Sequence, residues 1–220
     1  MLISHRKRFI YTKTLKTAGT SVESYFEPYC MPEGAWQFSH HREQYVSPAG
    51  IIGYRGKERG GSAWYNHMPA AEIKEKIGPE IWDAYYKFCV VRNPFDKLIS
   101  SFHFSHLDPN GAMTDAEQVR TFRSWIKAKA LPRDANRWMI GSTVCMDYLI
   151  RYEALETGLR QVCAALGIDF DPQAVPRLKS GFRNPRLAMS DYYDDETRAI
   201  VSDLYAVELR VLDYSFPATA

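Results

Sequence analysis

Apolar and polar positions divide the chain into short strands and amphipathic helices. Arg8 to Thr14 reads as a strand, because Phe9, Ile10, Tyr11 and Thr12 are β-branched or aromatic. After Ser21 the pattern changes: Val22, Tyr25 and Phe26 recur at spacings of three and four, as one face of a helix requires. Strand, tight loop and helix therefore follow one another without a spare residue. Tyr85 to Val91 is a nearly continuous apolar run, the pattern of a strand buried on both faces of a parallel sheet, and it is the expected central strand. It runs straight into a helix that Asn93 can cap and Pro94 can start, with Phe95, Leu98, Ile99 and Phe102 on one face.

The remaining elements follow the same two periods. Pro69 opens and Gly78-Pro79 closes a helix over Ala70 to Ile77, and Asp115 to Ala130 carries Val119, Phe122, Trp125 and Ile126 on one face. Met146 to Tyr152 predicts a strand. The helix after it presents Leu155, Leu159, Val162, Cys163 and Leu166 and stops at Gly167. A final helix, capped by Asp194 or Asp195, bears Ile200, Leu204, Val207 and Val211. Between Glu27 and Trp64 periodicity disappears, apart from a possible short strand at Ile51 to Tyr54. An irregular stretch of that length is either an acceptor-binding surface, with His40, His41 and Arg42 as substrate-binding candidates, or a solvated loop.

With 220 residues, 45% of them hydrophobic, the chain can bury one substantial core, so a single domain over 1–220 with an irregular excursion at 27–64 is expected. A net charge of +2 gives no case for nucleic acid as a partner. The four cysteines, Cys30, Cys89, Cys145 and Cys163, have neither Cys-x-x-Cys nor metal-ligand spacing, so reduced thiols and no metal are expected. No stretch approaches the ~18 apolar residues of a membrane span, and the first strand starts too early for a signal peptide. A cytoplasmic location is the expectation.

Two places carry candidate chemistry. Lys16 and Gly19, with Thr20 and Ser21 opening a helix, put a cation, backbone amides and hydroxyls at a helix N-terminus, where an anion such as phosphate or sulfate is favoured. A nucleotide-triphosphatase loop would need Gly-Lys-Ser/Thr in that order, whereas this lysine precedes its glycine by three residues. An ordinary strand-helix turn with Thr20 or Ser21 as N-cap fits this stretch equally well. Arg92 stands at the carboxyl end of the apolar strand, where open α/β sheets bind ligands. Ser100 lies about two helical turns further on. A salt bridge and a tolerated helix hydroxyl are the plain alternatives for these two.

Taken together, Lys16-Thr17-Ala18-Gly19-Thr20-Ser21 and Phe88-Cys89-Val90-Val91-Arg92-Asn93-Pro94-Phe95-Asp96-Lys97-Leu98-Ile99-Ser100 resemble the two phosphosulfate-binding motifs of the sulfotransferases, in the branch of the carbohydrate sulfotransferases and their bacterial relatives. The likeness extends through Asn66-His67-Met68-Pro69-Ala70-Ala71-Glu72, Arg151-Tyr152-Glu153-Ala154-Leu155 and Tyr192-Tyr193-Asp194-Asp195 to Asp213-Tyr214-Ser215-Phe216. It implies an α/β fold with a central parallel sheet flanked by helices, like the nucleotide kinases, and 3′-phosphoadenosine 5′-phosphosulfate (PAPS) as donor. Lys16, Thr17, Ala18, Gly19, Thr20 and Ser21 would hold the 5′-phosphosulfate, and Arg92 with Ser100 the 3′-phosphate. Arg177-Leu178-Lys179-Ser180-Gly181-Phe182-Arg183 loosely matches the basic loop that closes over the nucleotide, with Lys179 and Arg183 as donor ligands. His67 matches the histidine of the corresponding stretch and would be the base, with Lys16 as its catalytic partner; capping of the following helix is the other reading of His67. Relatives often have Pro where this chain has Leu15. The acceptor would be a carbohydrate hydroxyl, with a small-molecule alcohol or a tyrosine as alternatives. A small-molecule kinase and a catalytically silent nucleotide-binding module are the competing functions.

Overall fold

The computed structural model describes residues 1–56, 60–106, 113–176, 178 and 184–217. In chain order the elements begin with β1 (Leu2–Ser4), β2 (Phe9–Tyr11), α1 (Gly19–Phe26), β3 (Tyr45–Ser47), β4 (Gly50–Ile52), α2 (Ala70–Ile77), α3 (Pro79–Ala84) and β5 (Tyr86–Val91). They continue with α4 (Pro94–Ser105), α5 (Asp115–Lys127), β6 (Met139–Ile140), β7 (Thr143–Val144), β8 (Tyr148–Arg151), α6 (Leu155–Ala165), α7 (Met189–Tyr192), α8 (Asp195–Leu204) and α9 (Ala206–Val211). Two compact units result: Met1–Val91 with Asp134–Leu178, and Arg92–Arg133 with Lys179–Ala220.

The first unit is an α/β layer structure on a six-stranded sheet of order β3-β4-β1-β2-β5-β8. Only β2, β5 and β8 run parallel; β1 pairs antiparallel with β2 and β4, and β4 antiparallel with β3. The expected parallel sheet is thus mixed. Chain length decides it: His5 to Arg8 and the pair Pro48-Ala49 can close hairpins, whereas a parallel crossover needs about a dozen residues or more. β5 has neighbours on both sides but stands next to the edge strand β8 rather than at the centre.

Residues alternate between the two faces of the sheet. Leu2, Phe9, Tyr11, Phe88, Val90 and Ile150 pack with Val22 and Phe26 of α1 and with Leu159 and Val162 of α6. Ile3, Ile10 and Ile51 turn the other way, onto Ala70 and Ile73 of α2 and Trp82 of α3. Helices therefore cover both faces, and the carboxyl ends of the parallel neighbours β2 and β5 point to the same end of the sheet.

The second unit is helical, with a core of Phe95, Leu98, Ile99, Phe102, Phe122, Ile126, Tyr192, Tyr193, Val201 and Tyr205. Asn93 caps α4 by accepting the Phe95 N–H at 3.0 Å, and Asp194 caps α8 by accepting the Thr197 N–H at 2.8 Å. The single closing helix expected from periodicity is two, α8 and α9, broken at Tyr205, whose hydroxyl donates to the Pro132 carbonyl at 2.7 Å. Among the described residues no helix is long and apolar enough to cross a membrane.

Candidate active site

The first half of the loop between β2 and α1 is held by hydrogen bonds to backbone and side chains. The Thr12 N–H still donates to the Phe88 carbonyl at 3.1 Å, as in a strand. Thr14 Oγ1 donates to the Val90 carbonyl and so accepts from Thr17 Oγ1 at 2.8 Å. The Leu15 N–H donates to the buried carboxylate of Asp134 at 2.7 Å. Beyond the Leu15 anchor Lys16 and Ala18 adopt left-handed conformations, with φ of 58° and 55°. Such positions cost non-glycine residues about 1 kcal/mol or more each and concentrate at functional sites.

Ala18 is the N-cap of α1 and offers no capping side chain. The first intrahelical bond runs from the Val22 N–H to the Ala18 carbonyl at 3.1 Å. The amides of Gly19, Thr20 and Ser21 precede that bond and have no acceptor within the helix, and they stand at its positive end. Neither Thr20 nor Ser21 is the N-cap, since both lie inside the first turn. Thr20 Oγ1 accepts from Lys13 Nζ at 3.4 Å, and Ser21 Oγ accepts the Leu178 N–H at 3.2 Å.

Gly19 is required by packing. A Cβ there would lie 2.7 and 2.8 Å from side-chain carbons of Lys13. That lysine has little freedom to shift, because it is buried with Nζ 2.6 Å from Glu23 Oε2. Gly19→Ala is expected to destabilise the protein by about 1–3 kcal/mol through overpacking, read as a lower thermal midpoint. An unchanged midpoint would show that the Lys13 stem has room to move.

Glu23 is the hub of a buried ionic cluster. It takes Lys13, the Met1 amino group at 2.7 Å and Arg55 Nη1 at 3.0 Å. Arg55 also reaches Glu27 at 2.5 Å. Burial alone would push the Glu23 carboxyl up, but the charges of Lys13, the Met1 amino group and Arg55 together hold it far below the usual carboxylate range.

His67 approaches the start of this loop from the other side of the sequence. Its own φ is 57°, and its carbonyl accepts from Arg137 Nε at 3.0 Å. Its Nδ1 lies 3.1 Å from the Lys13 carbonyl. A carbonyl only accepts, so Nδ1 carries the proton and Nε2 the lone pair. Burial, then the Lys13 charge, lowers the imidazole to about 4, so the ordinary histidine range expected from sequence does not apply. Pro69, rather than His67, is the N-cap of α2.

In the second unit Arg92 is the first residue after β5. Its Nε and Nη2 both hold Asp96 Oδ2, at 2.7 and 2.6 Å, which fixes the plane of the buried guanidinium. Ser100 lies on α4, as Asp96 does, and is half-buried.

The model of the sulfotransferase family matches residues 1–215. The chain belongs to the sulfotransferase family. It is also similar to an uncharacterized protein of Archaeoglobus fulgidus, 29% identical over 103 residues that make up 46% of this chain and 83% of that protein. No solved structure matches it.

The remaining predicted residues of this sulfotransferase-family chain have more varied settings. His40 and His41 are exposed, their rings edge-to-face at 5.3 Å, and the His40 carbonyl accepts from Arg55 Nε at 3.0 Å. Arg42 Nε lies 2.9 Å from Glu27 Oε2, so its charge faces a fully buried carboxylate. Lys179 and Arg183 lie outside the described residues. Sequence reasoning passed over Lys13, Glu23 and Asp134, and read Arg55 only as a member of the irregular 27–64 stretch. Each is a buried charge whose partner is distant in sequence or lies within an unremarkable helix, and no spacing announces it.

Proposed function

We propose that the chain is a PAPS-dependent sulfotransferase that sulfates an acceptor hydroxyl, with a carbohydrate as the acceptor class. The observation that carries this reading is the loop with left-handed Lys16 and Ala18, which opens α1 with three amides lacking an intrahelical acceptor. A phosphosulfate is an anion of the kind such a cradle favours, and Asp134, a carboxylate that meets this loop from a distant segment, is already engaged by the Leu15 amide. The carbohydrate acceptor rests on the likeness of the motifs to the carbohydrate branch.

The donor supplies an activated sulfuryl group when bound. Lys16 and the amides of Gly19, Thr20 and Ser21 would neutralise charge that gathers on the leaving phosphate oxygen, and Arg92 with Ser100 would take the 3′-phosphate. His67 Nε2, its lone pair fixed by the Nδ1–H donated to Lys13, would receive the acceptor proton. An anion held nearby raises the imidazole's basicity from its low resting value. As in phosphoryl transfer, positioning and charge stabilisation would then supply most of the rate.

Calorimetry with product nucleotide tests the reading. Arg92→Ala should weaken binding of adenosine 3′,5′-bisphosphate at least tenfold and of 5′-AMP little, since a charged hydrogen bond is worth about 1.5–3 kcal/mol. Equal losses for both nucleotides would remove Arg92 from the 3′-phosphate site. Tighter binding of ATP with magnesium than of the bisphosphate would favour a kinase.

A further inference from the structure

We infer that Lys13 is a positioning residue for both halves of the site: its side chain braces the first turn of α1, and its carbonyl fixes the imidazole of His67. This deepens the functional reading above, since it assigns a role within the same site.

Lys13 is buried, 4% exposed, although it sits two residues after the last residue of β2 at the mouth of the loop. A buried ammonium is costly unless paired, and here the pairing points at the functional elements. Nζ holds Glu23 Oε2 at 2.6 Å and Thr20 Oγ1 at 3.4 Å, both on α1. The aliphatic stem lies against Gly19 so closely that a methyl group there would clash. Three residues of α1, at positions 19, 20 and 23, are thus set by one side chain. The Lys13 backbone meanwhile accepts the His67 Nδ1–H at 3.1 Å, which selects the tautomer with a free lone pair on Nε2. One residue links the anion cradle to the base. A shift of about 1 Å in either would cost turnover heavily, as placement errors of that size are worth about a hundredfold.

Lys13→Met tests this, because methionine keeps an unbranched stem beside Gly19 and removes the charge. Glu23 keeps two cations, the Met1 amino group and Arg55. The charges that act on His67 are Lys13, Glu23 and the Met1 amino group, while Arg137 meets its backbone carbonyl. Loss of Lys13 removes a cation that depresses the imidazole and leaves Glu23, which raises it. The His67 titration, followed by nuclear magnetic resonance, is therefore expected to move up from about 4 in the variant. Turnover should fall about ten- to a hundredfold. A folded variant with unchanged titration and unchanged turnover overturns the inference. If Lys13→Met does not fold, the wild-type nitrogen shifts decide: an Nδ1–H tautomer supports the inference and an Nε2–H tautomer overturns it. The titration needs no turnover, so an absence of sulfuryl transfer in the wild type would sink the functional reading while the imidazole still decides the role of Lys13.

Discussion

Replacing Lys16 by alanine is expected to lower turnover by about 10²–10³-fold, the loss typical of removing one group that stabilises charge developing in the transition state. Binding of adenosine 3′,5′-bisphosphate should fall much less. The difference follows from timing: the leaving phosphate oxygen carries its full charge only as the bond to sulfur breaks, so the lysine contributes more in the transition state than in the ground state. The backbone makes the role position-specific. Lys16 adopts a left-handed conformation directly after the two anchored residues, Thr14 bound to the Val90 carbonyl and Leu15 bound to Asp134. Lys16→Arg should restore little, because a planar fork does not reproduce a compact ammonium. Steady-state kinetics with both variants checks this, and wild-type turnover in Lys16→Ala would remove the loop from the chemistry.

His67→Ala is expected to reduce turnover by about 10²–10⁴-fold, the usual contribution of general acid–base catalysis, with donor affinity near wild type. The pH profile gives an independent check. The base must be neutral, and the imidazole of the free protein is lowered to about 4 by burial and by Lys13. Its protonated, inactive form therefore accumulates only as pH falls through that region, so the profile of kcat/KM should show no inflection near 6.5. A limb near 6.5 that persists in His67→Ala would assign the titration to another group. Normal turnover in the variant would leave His67 with a structural role in the approach to α2.

Much of the fold was legible because long periodic segments carry their own evidence. The helix over Ala70–Ile77 coincides residue for residue with the apolar spacing, and the apolar run ending at Val91 is the inner strand β5. Strand β1 was not legible, since three residues, Leu2–Ser4, are too few to show a period, and with it went the antiparallel half of the sheet. The site was half legible. Lysine, glycine and hydroxyls before an amphipathic helix marked the β2–α1 loop as the candidate, but its conformation ran against propensity. Left-handed backbone falls on Lys16 and Ala18, not on Gly19, which opens a right-handed helix and is needed for its missing side chain. The ionic cluster was hidden for a different reason. Arg55 is 32 residues from Glu23, and only the folded chain brings the two charges together.

Incubation with PAPS labelled at sulfur, against a panel of carbohydrate acceptors, is the most direct measurement. The expected result is label on an acceptor hydroxyl at a rate that collapses in Lys16→Ala and His67→Ala. A protein that binds adenosine 3′,5′-bisphosphate yet moves no label to any carbohydrate, alcohol or tyrosine acceptor would contradict sulfuryl transfer.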